Sequence, residues 1–400
     1  MSIKMSMKQL FPFALNKKEP PRYISSFDKF SYTLDGNEIY DAQSGNYSFT
    51  LGFDRDDIID EIAARMKFRP FARFSMTNDA VIELNNLLGE ITNDDFDSVF
   101  YSLSGSDAVE TAVRAAKLYH RKNKKRKYII SYLDSYHGST HLTSSLTGMD
   151  VFSHRLPEYP ESFVHHIPQD NDPQTLIDKI EELGPENILA IVKEPVSWQS
   201  GLKPTSKYYY NILRDLCTQH DIVFILDEIA TGIGKSGEWF AYQRLDIQPD
   251  IMCIGKGLTA GYSPLSATLF SRKLHLFVDK TYFVNGWTQS PSMSGVYAAI
   301  ATINRIRDEG LVHAAYNIED WQYEVYKKLD IESFRIFGAF GAIDVSNMDE
   351  MHDIVSRLEK NGVLVTGYRY DPIIRFVFPI NIDKSTFDKI MVIVQDVINQ

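Results

Sequence analysis

The chain has 400 residues, of which 44% are hydrophobic and 24% are charged, a composition typical of a globular protein with a sizeable core. Lysine and arginine together number 42 against 53 aspartate and glutamate residues, so the net charge is −11 and a basic surface for nucleic acid is not expected. No apolar stretch reaches the 18 residues of a membrane span, and the only cysteines are Cys217 and Cys253. We therefore expect a cytoplasmic protein with neither a nucleic-acid nor a membrane partner.

Between residues 79 and 276, short apolar runs alternate with stretches of helical periodicity. The runs predict strands at Ser98–Ser102, Tyr128–Tyr132, 188–192, 222–226, Ile251–Ile254 and Ser266–Phe270. Strands separated by helices need crossover connections, which favour a mainly parallel sheet covered on both faces. After Gly105-Ser106, alanine and leucine recur at helical spacing behind two first-turn acids, Asp107 and Glu110, and predict a helix to residue 120.

The region after Trp287 has a different pattern, which predicts a smaller α+β lobe. Helices are predicted as far as residue 307 and at 312–329, 349–360 and from 384 onwards, and strand-like runs lie at 335–345, 362–366 and 373–378. We expect residues 1–50 to join this lobe, residues 51–285 to form a larger domain, and residues 286–400 to provide a linking helix and the smaller domain.

Two motifs near the first strands could bind a phosphorylated ring. Ser104-Gly105-Ser106 precedes the predicted helix, where a glycine and the open amides of a helix N-terminus suit a phosphate, although an ordinary N-cap loop is the commoner meaning of such a tripeptide. Tyr136-His137 follows the second strand at the carboxyl edge of the sheet, where ligands bind in open α/β folds. An aromatic ring there could stack on a planar cofactor or only pack a loop.

Two further motifs supply an acid and a lysine at later strand ends. Asp227 closes an apolar run, and a partly desolvated carboxylate there can pair with a protonated pyridine nitrogen. The glycines before Lys235 suggest a nucleotide-binding P-loop, but Ile229 stands where that motif needs its first glycine. Lys256 lies between two glycines after the next strand, where it is either an ordinary structural lysine or a nucleophile for a carbonyl.

In this order the four motifs are the parts needed to hold pyridoxal 5′-phosphate (PLP), and the chain resembles the class III (ω-) aminotransferases of the fold-type I PLP enzymes. The resemblance extends from about Asp35 to the end. Its most specific segments are Leu226-Asp227-Glu228-Ile229-Ala230-Thr231-Gly232 and Ile254-Gly255-Lys256-Gly257, which are most similar to the subgroup that makes 7,8-diaminopelargonate. It implies an α/β fold in which a seven-stranded, mainly parallel sheet between helices forms the PLP-binding domain, beside a smaller α+β domain.

The resemblance also implies roles around the cofactor. Lys256 would form the Schiff base and move the substrate α-proton, and Asp227 would pair with the pyridinium nitrogen. Gly105 and Ser106 would hold the phosphate, and Tyr136 would stack on the ring face opposite Ile229. The other cofactor contacts implied are His137, Glu194 and Thr288. Thr288 would reach the phosphate from the neighbouring subunit of a homodimer whose active sites lie at the subunit interface.

Substrate contacts follow from the same resemblance. Arg375 would hold a substrate α-carboxylate, a task suited to a planar bidentate donor, and Glu194 could pair with that arginine. Asn46 and Tyr47 stand where the diaminopelargonate enzymes carry a tryptophan pair, so both are candidates for lining the substrate slot. That subgroup also carries an arginine-proline pair near Thr366-Gly367, which is missing here, and the residues around Thr288 differ from the family pattern.

We therefore expect a PLP-dependent aminotransferase that moves an amino group from a small-molecule donor to a keto or aldehyde acceptor by a ping-pong mechanism, without a metal site. One alternative is a class III enzyme with a decarboxylating or isomerising outcome. Another is a catalytically silent member that acts as a binding subunit, which the presence of Lys256 and Asp227 disfavours.

Overall fold

The computed structural model describes residues 23–26, 30–34, 37–73, 75–149, 163–278, 283–368 and 371–400. The strands within these ranges are β1 (Tyr23–Ser26), β2 (Ser31–Leu34), β3 (Asn37–Asp41), β4 (Ser98–Ser102), β5 (Tyr128–Tyr132), β6 (Val164–Ile167), β7 (Ile188–Lys193), β8 (Val196–Ser197), β9 (Lys203–Pro204), β10 (Val223–Asp227), β11 (Ile251–Ile254), β12 (Ser266–Phe270), β13 (Ser333–Phe337), β14 (Phe340–Asp344), β15 (Val363–Leu364), β16 (Thr366–Gly367) and β17 (Ile373–Val377).

The helices within the same ranges are α1 (Ser44–Tyr47), α2 (Asp56–Phe68), α3 (Asp79–Ile91), α4 (Gly105–Tyr119), α5 (His141–Leu146), α6 (Pro173–Leu183), α7 (Lys207–Gln219), α8 (Ala241–Leu245), α9 (Arg272–Val278), α10 (Met293–Asp308), α11 (Ala314–Tyr326), α12 (Met348–Lys360) and α13 (Lys384–Ile398). Short 3₁₀ helices span Pro185–Asn187 and Lys256–Thr259. No helix in the described part of the chain is long and apolar enough to cross a membrane.

Seven of the described strands form the central sheet, in the order β4-β12-β11-β10-β7-β5-β6. Only β12 runs antiparallel to its neighbours, β11 and β4; the remaining pairings are parallel. The prediction of a mainly parallel sheet is confirmed. Because the parallel strands end at one edge, the residues that follow β5, β7, β10 and β11 converge there.

Both faces of this sheet are buried, which explains why its strands are continuous apolar runs in the sequence. Along β10, Val223 and Ile225 pack into the core shared with α4, whereas Phe224 and Leu226 point into the larger core on the opposite face. The alternation follows from the two-residue period of a strand. Alanines at helical spacing on α4 allow that helix to lie close to the sheet.

The structure differs from the sequence prediction at three places. Strand β6 was not predicted, because His165 and His166 interrupt its apolar pattern. The single run predicted at 335–345 is the hairpin of β13 and β14, with Gly338 at φ 61° in its turn. The run predicted at 362–366 is divided between two sheets, since β15 pairs with β3 whereas β16 pairs with β17.

Residues near the N-terminus pair with residues near the C-terminus. Besides the parallel pairing of β3 with β15, Val377 donates its amide to the Ala42 carbonyl, and Ile380 donates to the Thr50 carbonyl. These bonds bring the segment after β3 to the antiparallel sheet β13-β14-β17-β16. The division into domains at residues 50/51 and 285/286 stays a prediction.

Candidate active site

A cavity of about 180 Å³ opens at the carboxyl edge of the central sheet. Nine residues singled out from the sequence line it: Tyr47, Gly105, Ser106, Tyr136, His137, Glu194, Asp227, Ile229 and Lys256. They come from the N-terminal segment and from the ends of five different strands of the sheet. The fold therefore brings together side chains that lie more than 200 residues apart in the chain.

Lys256 opens the 3₁₀ helix that directly follows β11, and its φ of 41° lies in the left-handed region that non-glycine residues rarely adopt. Its Nζ lies 5.0 Å from the centre of the Tyr47 ring. Burial lowers the pKa of Lys256, while the carboxylates of Asp227 and Glu194 oppose that shift. The net lowering favours the neutral amine, which is the nucleophilic form.

Asp227 is 4% exposed and is held from two sides. Its Oδ2 lies 2.8 Å from His137 Nδ1, and its Oδ1 accepts a hydrogen bond from the amide of Ile229 at 3.1 Å. An ionised Asp227 therefore requires the proton of His137 on Nδ1. The other ring nitrogen, Nε2, is buried and has no hydrogen-bond partner among the described residues.

The N-terminus of α4 forms another part of the cavity wall. A capping box between Ser104 and Asp107 fixes the first turn of this helix, whose leading amides have no partner within the helix. Ser106 Oγ accepts the amide of Ser139 at 3.2 Å. A Cβ at Gly105 would lie 2.9 Å from Ile229 Cδ1, and one at Gly138 would lie 2.5 Å from Ser106 Oγ, so this cradle is shaped by glycines.

Glu194 lies in the cavity wall directly after β7. Its Oε2 accepts the Tyr136 amide and the Ser197 hydroxyl, both at 3.4 Å. Burial raises the pKa of Glu194 to about 7; positive charge on His137 opposes the rise and the Asp227 carboxylate adds to it. Near neutral pH this carboxyl group is therefore poised between its neutral and ionised forms.

Tyr47 reaches the cavity through an unusual backbone segment. Ser44, Gly45, Asn46 and Tyr47 all have positive φ angles, between 51° and 71°. Asp41, at the end of β3, accepts the amides of Gln43 and Gly45 at 2.8 and 2.9 Å and so holds the start of this turn. The turn packs the Tyr47 ring edge-to-face on Trp198, with 4.8 Å between the ring centres.

Arg375, on β17, lies behind the cavity rather than in its lining and is 4% exposed. Its Nη1 donates to the Trp198 carbonyl at 3.2 Å and to Gln199 Oε1 at 3.1 Å. The expected pairing of Glu194 with this arginine is not observed. The partner is Gln199, because this side chain, five residues after Glu194, is the one that reaches β17.

Besides Arg375, two other predicted site residues lie outside the cavity of the single chain. Asn46 and Thr288 are both exposed, and neither contributes to the lining. The sequence interpretation in turn missed four lining residues: Gly138, Trp198, Gln199 and Ala230. Each of them lies within five residues of a predicted site residue, so taking the whole segment after each strand end would have included them.

The side chains present fit PLP. A carboxylate is available for a protonated ring nitrogen, a buried lysine opens onto the same cavity, and a Cβ at position 105 of the cradle at α4 would crowd the end of the Ile229 side chain. His137 holds the carboxylate from behind and keeps its second nitrogen unsatisfied among the described residues. These are the groups that a phosphorylated pyridine aldehyde requires.

Comparison with known proteins agrees with this geometry. The family model "Aminotransferase class-III" matches residues 23–398. The putrescine–pyruvate aminotransferase of Pseudomonas aeruginosa is 28% identical over 77% of this chain and 73% of its own length, and the omega-aminotransferase of Caulobacter vibrioides is 31% identical over 80% and 79%.

A solved amine transaminase from an uncultivated Pseudomonas species, in its PLP-bound form, shares the fold with a TM-score of 0.90 at 23% identity, over 98% of this chain and 99% of that one. The chain therefore belongs to the class III aminotransferases and is a PLP-dependent transaminase of fold type I.

Proposed function

We propose that this transaminase moves an amino group from a primary amine to a small 2-oxo acid by a ping-pong mechanism, with Lys256 and Asp227 as its catalytic residues. The observation that carries the proposal is the position of a buried lysine and a buried, histidine-held aspartate in one cavity, with a buried arginine that contacts the lining residues Trp198 and Gln199.

The chain's residues divide the work between binding and proton transfer. PLP, when bound, supplies an electron sink for the carbon that carries the amino group. Asp227, oriented by His137, would offer a negative charge to the ring nitrogen. Lys256, as the neutral amine, would hold the cofactor covalently and would take up and return the proton of the substrate carbon. Gly105 and Ser106 would hold the phosphate at the start of α4.

The surroundings of Arg375 support the proposal that one substrate is a carboxylic acid. Its guanidinium is buried, and its hydrogen bonds among the described residues go to two neutral acceptors. A buried cation without an anion is costly, so a carboxylate that reaches it gains a charge-assisted bond. The Pseudomonas aeruginosa relative is named for the diamine putrescine and for pyruvate, and pyruvate is a 2-oxo acid of the proposed kind.

The finer assignment to diaminopelargonate synthesis stays a prediction. The Pseudomonas aeruginosa relative is named for putrescine and pyruvate, and the name of the Caulobacter vibrioides relative gives no substrate. Asn46 and Tyr47 stand where the diaminopelargonate enzymes carry a tryptophan pair. A panel of amino donors tests it, because S-adenosylmethionine or lysine as the preferred donor would favour this subgroup, whereas release of carbon dioxide would favour a decarboxylating outcome.

The test is an absorbance spectrum of the PLP-loaded protein during titration with amines, followed by addition of pyruvate. We expect the band of lysine-bound cofactor to disappear with a suitable amine and to return with pyruvate. Lys256→Ala should abolish the band and the amino transfer, whereas the exposed-lysine control Lys124→Ala should retain both. Full amino transfer by Lys256→Ala would refute the proposed mechanism.

We further propose that the active protein is a homodimer in which Thr288 reaches the phosphate of the neighbouring subunit. Large apolar side chains are concentrated at the surface of α2, α3 and the connection between them: Ile59, Phe68, Phe71, Met76 and Ile82 are all more than 40% exposed. Such a cluster is typical of a protein interface. Light scattering should give about twice the chain mass of 45.8 kDa, and Phe68→Asp should shift it towards the monomer; a monomeric parent would refute the dimer.

A further inference from the structure

A second buried lysine, Lys235, lies beside the turn that carries Lys256. Its side chain is fully buried, and its Nζ donates to the Gly232 carbonyl at 2.7 Å and to the Thr50 hydroxyl at 3.2 Å. Within the described residues, Lys235 forms no ion pair. An ammonium group buried without an anion is costly. Because the glycines before this lysine do not complete a P-loop motif, its burial needs another explanation.

The amine of Lys235 lies beneath Gly257, the residue that follows Lys256. A Cβ on Gly257 would lie 2.6 Å from Lys235 Nζ and 2.6 Å from Thr50 Oγ1, so these two side chains pack directly against the backbone of the turn. Burial lowers the pKa of Lys235 to about 7; the positive charge of Lys256 adds to the lowering, and the Glu228 carboxylate opposes it. The two amines therefore lie within electrostatic range of each other.

The turn that begins with Lys256 needs support from outside. Lys256 and Ala260 have φ angles of 41° and 47°, in the left-handed region that residues with a side chain rarely adopt. Such a conformation persists only where the surrounding structure fixes it. Ala260 donates its amide to the Gly257 carbonyl at 3.0 Å, which closes the turn internally. On the Gly257 side, the external contacts come from Lys235 and Thr50.

The same amine joins segments that carry other residues of the cavity. Thr50 lies three residues after Tyr47, and Gly232 lies five residues after Asp227. The backbone carbonyl of Lys235 in turn accepts an amide from the turn of the hairpin β13-β14 at 2.8 Å. One residue therefore connects the smaller lobe with the segments that follow three strand ends or turns of the candidate active site.

We propose that Lys235 is a positioning residue, whose amine holds the turn of Lys256 against the segments that follow Tyr47 and Asp227. The inference rests on the proposed function, in which Lys256 holds the cofactor covalently. Without the amine, the turn would lose its contact beneath Gly257, and Lys256 would adopt orientations that do not suit the reaction. Because a misplacement of about 1 Å can slow a reaction about 100-fold, the loss should appear in kcat more than in KM.

The experiment compares Lys235→Met with the unchanged protein, because methionine keeps most of the stem and removes the amine. The rate at which the cofactor-free protein captures PLP, followed at the band of lysine-bound cofactor, should fall about 10-fold or more, as should kcat with pyruvate. The KM for pyruvate should change less than about threefold. The variant should melt no lower than the unchanged protein at pH 6, because a buried lysine with a lowered pKa destabilises the fold below that pKa.

Lys193→Met is the matched control. Lys193 is also fully buried, and burial lowers its pKa to about 7. Its amine lies 3.8 Å from the centre of the Tyr132 ring and donates to Gln169, and neither partner lines the cavity. This variant should gain stability in the same way while PLP capture and kcat stay within about twofold. A loss confined to Lys235→Met therefore separates positioning from the general effect of removing a buried charge.

Thr50 provides a second test if Lys235→Met does not fold or does not hold PLP. Thr50→Val nearly keeps the shape of the side chain and removes the hydroxyl that accepts from Lys235, so kcat should fall by a smaller factor. Thr50→Ser keeps the hydroxyl and should retain kcat. Where both single variants hold PLP, their effects should not multiply in the combined protein, since both break the same contact.

A PLP-loaded Lys235→Met protein with kcat within about twofold of the unchanged protein would overturn the inference. An equal loss in Lys193→Met, or a lower melting temperature of Lys235→Met at pH 6, would also overturn it, because Lys235 would then act only through folding stability. If the Thr50 variants decide, equal kcat values in Thr50→Val and Thr50→Ser would do the same. Failure of the proposed function is distinguishable, since the unchanged protein would then show neither the band of lysine-bound cofactor nor amino transfer.

Discussion

Replacing Glu194 with glutamine should stabilise the cofactor-free protein, although Glu194 belongs to the candidate active site. Burial raises the pKa of this carboxyl from 4.5 to about 7, and 2.5 units correspond to about 3 kcal/mol. Because the folded-state pKa is the higher one, the cost of burying the ionised group is fully present above pH 7 and disappears as the pH falls towards 4.5. Glutamine carries no such cost and keeps an oxygen that can accept the Tyr136 amide.

The assay is thermal unfolding of the cofactor-free proteins at pH 5 and pH 8. We expect the glutamine variant to melt a few °C higher at pH 8, and the gap to shrink strongly at pH 5. Glu186→Gln is the matched control, since Glu186 is exposed and its replacement should give no pH-dependent gap. The argument that burial of ionised Glu194 lowers folding stability would be refuted by a difference in melting temperature at pH 8 that is absent, reversed or equal to the difference at pH 5.

Three other substitutions test neighbouring parts of the site. Asp227→Asn should lower turnover at least about 100-fold, because a neutral amide cannot stabilise a protonated ring nitrogen; a near-normal kcat with bound PLP would contradict this role. Gly105→Ala should weaken PLP binding in equilibrium dialysis, since the added Cβ would lie 2.9 Å from Ile229 Cδ1, and unchanged affinity would exclude a tight cradle there. Lys193→Met should stabilise the protein by up to about 5 kcal/mol below pH 7, because burial lowers the pKa of Lys193 from 10.5 to about 7. This difference in stability between Lys193→Met and the unchanged protein should vanish as the pH rises towards 10.5, and unfolding midpoints over this range measure it.

Much of the central sheet could be predicted because its strands are buried on both faces. Four of its seven strands have the predicted bounds, and β7 and β10 differ by one residue at their ends. Strand β6 lies at the edge of the sheet, where His165 and His166 are tolerated, so its apolar signal is lost. The run at 362–366 could not be divided from sequence, because β15 and β16 are separated by one residue and take their partners from opposite ends of the chain.

The topology of the central sheet explains which site residues could be predicted from the sequence and which could not. Lys256, Asp227, Glu194 and Tyr136 follow strands that all end at one edge, so parallel topology alone brings them together. Arg375 comes from the middle of β17 in a different sheet, and its contacts depend on how residues 196–201 cross between the two sheets. Nothing in the local sequence indicates that Gln199, rather than Glu194, meets the guanidinium.

That difference bears on substrate choice. An acid paired with Arg375 would have to be displaced before a carboxylate could bind, whereas a neutral amide leaves the positive charge available throughout. The chain places the neutral Gln199 at this contact. Gln199→Glu should therefore raise the KM for pyruvate while leaving the rate with propanal unchanged, and equal effects on both acceptors would show that the charge at Arg375 does not select the substrate.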